Sequence, residues 1–196
     1  MANFNAIAAA SEAIRRYLKE APRPDFPQLD VDLYQMTDFQ KAVPAGGRIS
    51  LLLYRVAANT SRRNLPPTLG EDGRTRYRPP VPLDLFFLVS AWALNAEFQQ
   101  RLLGWCVRTI EDAPIMPASV LNRLQTKAVF RQSETVELVG EALTLQDLNV
   151  LWDVLKPNVP LSVTYVARFV TIESEIPLVE GPLVQTRAFD IAQVPG

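Results

Sequence analysis

The sequence predicts an α+β domain: a mixed, mostly antiparallel sheet with helices packed on it. Three observations carry that expectation. Three long runs, ISLLLYRVAA (Ile49–Ala58), VPLDLFFLVSAW (Val81–Trp92) and LSVTYVARFVTI (Leu161–Ile172), are rich in Leu, Val, Phe and Tyr, as buried strands are. Between and around them lie segments with apolar residues at helical spacing. The order of the two kinds shows no regular βαβ alternation, which sets a doubly wound sheet aside.

Phe4, Ile7, Ser11, Ile14 and Leu18 step by three or four and predict a helix over residues 4–19, with Asn3 as its N-cap. The Pro-rich piece Ala21–Pro27 ends it. Leu29–Gln35 alternates Leu and Val with Asp30 and Asp32, as a half-exposed strand does. Ala45-Gly46-Gly47 turns into the Ile49 strand. After Trp92, Asn95 caps a helix over 96–111 with a stripe of Phe98, Leu102, Trp105, Cys106 and Ile110. A shorter helix is expected over 118–127 and a strand over Glu134–Leu138. Thr144 caps the next helix, with Asp147 at its third position and Leu148, Leu151, Trp152 and Leu155 as its buried face. On the last strand, Leu161, Val163, Tyr165 and Phe169 share one face and Ser162, Thr164 and Arg168 the other. Residues 1–175 form the expected domain, and 176–196 a tail or arm with strand-like pieces at Pro182–Ala188.

Composition narrows the functional classes. A length of 196 residues suits one domain with a sizeable core. The net charge of −1 favours neither a nucleic acid nor a membrane as global partner. One cysteine excludes an intrachain disulfide. The N-terminus lacks a basic segment followed by a long apolar core, and no run of 18 apolar residues exists. A soluble protein made in the cytoplasm, without membrane insertion, is expected.

The chain has no histidine. That removes the commonest general base, the commonest metal ligand and the Ser–His and Cys–His nucleophile pairs. Asp30 and Asp32 read as a solvated strand face, since nothing of Ca²⁺-loop spacing surrounds them. Cys106 reads as a buried, inert residue on an apolar stripe. Asp84, a carboxylate inside an apolar strand, is either a general acid or base, or a strand-entry residue paired with an Arg or with loop amides. No phosphate-binding Gly-rich loop occurs. No cofactor, metal site or enzymatic activity is expected.

Between the first two long strands runs a Pro- and Arg-rich loop, Asn59–Pro80. Loops of that length in compact domains are usually functional or disordered. It carries Arg62, Arg63, Arg74, Arg76 and Arg78 against Glu71 and Asp72, a net of +3. Three readings stay open: a solvated loop, a protein-docking arm, or a nucleic-acid contact. Contact candidates are Arg62, Arg63, Arg74, Arg76, Tyr77 and Arg78.

Five stretches in one order carry a resemblance: FNAIAAASEAIRRYL, LLLYRVAANTSRRN, VPLDLFFLVSAW, QRLLGWCVRTIEDAPIM and LTLQDLNVLWDVLKPNVPLSVTYVARFVTI. Together they resemble the cap, or tail-terminator, proteins of extracellular contractile injection systems, which are phage-tail-like particles. The likeness covers roughly residues 4–175. It implies a tail-terminator-like fold and a homohexameric ring assembled in the cytoplasm as part of the particle. That ring would close the baseplate-distal end of the inner tube, meet the last sheath ring and stop polymerisation. It implies the inner tube and sheath proteins as partners and no catalytic residues. Another structural adaptor of the particle, or a nucleic-acid-binding module using residues 59–80, is the alternative.

Overall fold

The computed structural model describes residues 4–62, 64–70, 72–123, 125, 127–155 and 160–179. A six-stranded sheet organises the chain. Its strands are β1 (Asp30–Tyr34), β2 (Arg48–Ala58), β5 (Val81–Trp92), β6 (Ile115–Pro117), β7 (Thr135–Glu141) and β8 (Leu161–Ile172). They lie in the order β1-β2-β5-β8-β7-β6. Only β1–β2 is parallel; the other four pairings are antiparallel. Two further short strands, β3 (Thr68–Leu69) and β4 (Arg76–Tyr77), form a separate hairpin inside the 59–80 segment. The α+β expectation therefore holds, and the three long strands fall where the apolar runs place them.

One face of the sheet carries the main core. Helices α1 (Ala6–Glu20), α2 (Ala96–Asp112) and α3 (Ala118–Leu121) bring Ala10, Ile14, Leu18, Leu102, Cys106, Ile110 and Leu121 against Val31, Ile49, Leu51, Leu85, Phe87 and Val89. Asn95 caps α2 as expected, its Oδ1 accepting from the Phe98 amide at 2.8 Å. Helix α1 begins later than its apolar spacing suggests. Phe4 precedes it and is exposed, and small Ala side chains let the helix approach the sheet instead. The proposed cap, Asn3, lies outside the described residues. Arg16 is buried in this layer, its Nη2 donating to Val120 O at 2.5 Å and so tying α1 to α3.

The opposite face holds a second cluster: Tyr34, Phe39, Leu52, Leu88, Trp92 and Leu155. A 3-10 turn, Met36–Gln40, brings Phe39 over it. Trp92 Nε1 donates to Ser50 Oγ at 2.8 Å, which satisfies the indole in an otherwise apolar site. Asp30 and Asp32 flank Arg48 on the neighbouring strand, at 4.0 and 3.0 Å. That pairing fits the structural reading of the two carboxylates.

Three local expectations are corrected. The helix at 118–127 stops at Leu121, because the Asn122 side chain takes up backbone groups of the next loop. Its Oδ1 accepts from the Val129 and Phe130 amides and its Nδ2 donates to Phe130 O. The extended chain just before that helix pairs as β6. Phe169 does not share the face of Tyr165, for a reason given below. Lastly, α4 (Leu145–Leu155) buries little of its apolar surface. Thr144 caps it, accepting from the Asp147 amide at 3.2 Å, but among its described side chains only Leu155 is buried. Leu148 and Leu151 are half-buried and Trp152 faces solvent.

Candidate docking arm

The arm starts where β2 ends, and its root is built by a carboxylate. Asn59 is buried, and its Nδ2 donates to both oxygens of Asp84, at 3.0 Å each. Asn59 Oδ1 in turn accepts from the Arg62 amide at 3.1 Å, which shapes the 3-10 turn Thr60–Arg62. Asp84 Oδ1 also accepts from the Phe169 amide at 3.4 Å. The β5–β8 register slips at this point, so that Leu83 pairs with Val170 but Leu85 with Ala167. The extra residue on β8 is accommodated with Phe169 at φ 65°, a left-handed conformation that costs a non-glycine residue about 1 kcal/mol. The bulge turns the Phe169 ring away from the core side, and the Arg62 guanidinium lies 4.2 Å from its centroid. Asp84 is thus the strand-entry residue held by loop and backbone amides. Its hydrogen bonds hold a bulge and a loop in place.

Beyond the root the segment is ordered by turn chemistry. Strands β3 and β4 pair Thr68 with Tyr77 and Leu69 with Arg76. The tip is closed by Asp72, whose Oδ1 accepts from the Arg74 and Thr75 amides at 3.0 and 2.9 Å and whose Oδ2 accepts from the Thr75 hydroxyl. These donors, the Thr75 hydroxyl foremost, hold the Asp72 carboxyl below the usual Asp range. Gly73 sits at φ 67°, as the turn requires.

The hairpin is also tied down at its sides. Arg78 N donates to Ile176 O at 3.1 Å and Leu178 N to Arg76 O at 2.7 Å, around a bridge between Tyr77 and Pro177. The first residues of the C-terminal segment therefore run along β4 as a third strand. On the other side Arg131 Nη2 donates to Leu69 O at 3.3 Å while its Nε stands 2.6 Å from Glu173. These two clamps were missed in the sequence, where nothing signals pairing over such separations.

Of the expected contact candidates, Arg62 is committed to the Phe169 ring. Arg74, Arg76 and Arg78 are exposed along the hairpin and Tyr77 is half-buried. Arg63 lies outside the described residues. The alternative chemical candidates are not brought together. Cys106 is fully buried in the main core, where desolvation pushes its thiol up to about 12. Asp84 is engaged at the arm root. Among the described residues no group of three or more His, Cys, Asp or Glu is placed to hold a metal, and no helix is long and apolar enough to cross a membrane.

The Pvc16 N-terminal domain family matches residues 9–186. The chain belongs to that family. Two solved structures resemble this Pvc16 N-terminal domain. One is the PVC sheath/tube terminator of an extracellular contractile injection system in its extended state, at 12% identity and a TM-score of 0.57, covering 95% of this chain and 65% of that one. The other is the anti-feeding prophage cap, a tube-terminating cap, at 14% identity and a TM-score of 0.49, covering 97% of this chain and 60% of that one. The first likeness shows that this Pvc16 N-terminal domain shares the terminator's fold. The chain spans 65% of the length of that terminator. No curated protein matches its sequence.

Proposed function

We propose that this chain is a structural cap: a homohexameric ring that closes the baseplate-distal end of the tube and sheath of a contractile injection particle and ends their polymerisation. The observation that carries the reading is the family match over residues 9–186, most of the chain. The shared fold of the PVC sheath/tube terminator supports it. So do the occupied candidate groups: the buried Cys106 and the hydrogen-bonded Asp84 suit a protein that works by adhesion. Inner tube and sheath proteins are its partners, and it assembles in the cytoplasm. The hairpin arm, carrying Arg74, Arg76, Tyr77 and Arg78, is its docking element, with residues 176–178 lying beside it.

Electron microscopy of particles made without this chain tests the reading. Tubes of irregular length with open distal ends are expected. Particles of wild-type length with sealed tips would overturn it. Deleting Thr68–Arg74 should reproduce the capping defect in a chain that still folds.

A further inference from the structure

Helix α4 leaves apolar side chains in solvent on both of its flanks, beside a cleft that holds two carboxylates and one arginine. Leu145, Val150 and Trp152 are 81%, 60% and 43% exposed. Next to them a cleft of about 470 Å³ opens between α4, the end of β7 and β2, lined by Tyr54, Arg55, Glu141, Asp147, Val150 and Leu151 among others. Glu141 borders this cleft and the adjoining one, and its Oε2 is buried with no hydrogen-bond partner among the described residues. A buried carboxylate oxygen without a donor is costly, and an incoming cation relieves it. Helix α4 itself carries Asp147 and Asp153 and no Lys or Arg.

The chain also carries a complementary surface. The arm segment 59–80 has five arginines against two acids. Its Arg74, Arg76 and Arg78 are exposed, with long apolar stems that suit a cleft of Val, Leu and Tyr walls around a carboxylate. The arm leaves the sheet where Val81 pairs with Ile172, whereas the cleft lies by Arg55, opposite Phe86. Val81 to Phe86 spans about 16 Å of strand. Ile176, Leu178 and Arg131 bind the hairpin and hold it there. Two different complementary surfaces on one subunit make a head-to-tail contact between copies, the kind that closes rings.

We propose that the cleft at Glu141, walled on one side by Val150 and Leu151 of α4, receives the Arg-rich hairpin of a second copy of this chain. This rests on the ring reading and names its contact. The cation enters between Glu141 and Asp147, and Val150 packs against the hairpin.

Charge reversal tests it, read as association in solution by native mass and light scattering. Glu141→Arg alone and Arg74→Glu with Arg78→Glu alone should each weaken self-association at least about tenfold. All three changes in one chain should restore part of it, because position 141 then faces the opposite charge again while Asp147 and Arg76 stay as they are. Val150→Ser should weaken association while leaving the folded monomer intact by circular dichroism. A wild type that stays monomeric at submillimolar concentration, association untouched by either reversal, or no recovery in the combined variant would overturn the proposal. Capping of particles by the same variants is scored separately. A chain that caps normally with Glu141 reversed refutes the contact and leaves the cap reading standing. Particles sealed without the chain refute the cap reading itself.

Discussion

Replacing Asp84 by Ala tests whether one carboxylate holds the arm root. The substitution removes the acceptor shared by the Asn59 side chain, at 3.0 Å to each oxygen, and the Phe169 amide, at 3.4 Å. A hydrogen bond to a charged acceptor contributes about 1.5–3 kcal/mol, and a buried donor left without a partner costs about 1–3 kcal/mol. Asn59 is buried, so its amide cannot turn to bulk water. The Phe169 bond is long and adds less. The expected loss is therefore about 2–4 kcal/mol, a sizeable part of the roughly 5–15 kcal/mol that stabilises a domain. With a urea m-value of about 2–3 kcal/mol/M, the unfolding midpoint falls by about 1 M. Asp84→Asn keeps the shape and one acceptor and should lose about half as much. Arm disorder should accompany the loss, read as faster amide exchange at Arg62 and at the hairpin. An Asp84→Ala midpoint within about 0.2 M of wild type would refute the reasoning.

Three further outcomes follow from local geometry. Gly47 sits at φ 76°, and a β-carbon there would come within 2.6 Å of Leu102 Cδ1. Gly47→Ala should cost about 2 kcal/mol and lower the melting temperature by about 4–8 °C; an unchanged value would contradict it. Cys106, with its thiol pushed up to about 12, should resist alkylation at about pH 8 in the folded chain and react fully in denaturant. Rapid labelling of the native protein would show the core to be open there. Asp72 has a lowered carboxyl pKa, so its contribution to the turn is complete above the ordinary Asp range of about 4 and fades as pH falls through the lower folded value. By NMR its titration midpoint should lie below that range and rise in Thr75→Val; a midpoint at or above it would refute the turn.

Particular residues show where sequence reading succeeds. Val81–Trp92 and Leu161–Ile172 are strands end for end, because a strand buried in the middle of a sheet is apolar along its whole length. Asn95 and Thr144 cap their helices through bonds that span three residues. Failures occur where the partner is remote. Arg16 stands outside the helix's apolar stripe, and only the fold shows it buried against Val120. Phe169 obeys the alternation until Asp84, on another strand, holds the bulge that rotates it. Loop 59–80 reads as irregular, since its third strand arrives from residues 176–178.

The sequence by itself determined the α+β class, the long strands, two helix caps and the absence of histidine chemistry. Those properties depend on composition and on periodicity over a few residues. Only the tertiary structure decided that Asp84 holds a bulge, that the hairpin is clamped by Arg131 and residues 176–178, and that Val150 of α4 stays open in the cleft beside Glu141. Each of those depends on which distant segments meet, and burial and hydrogen bonding are properties of that meeting.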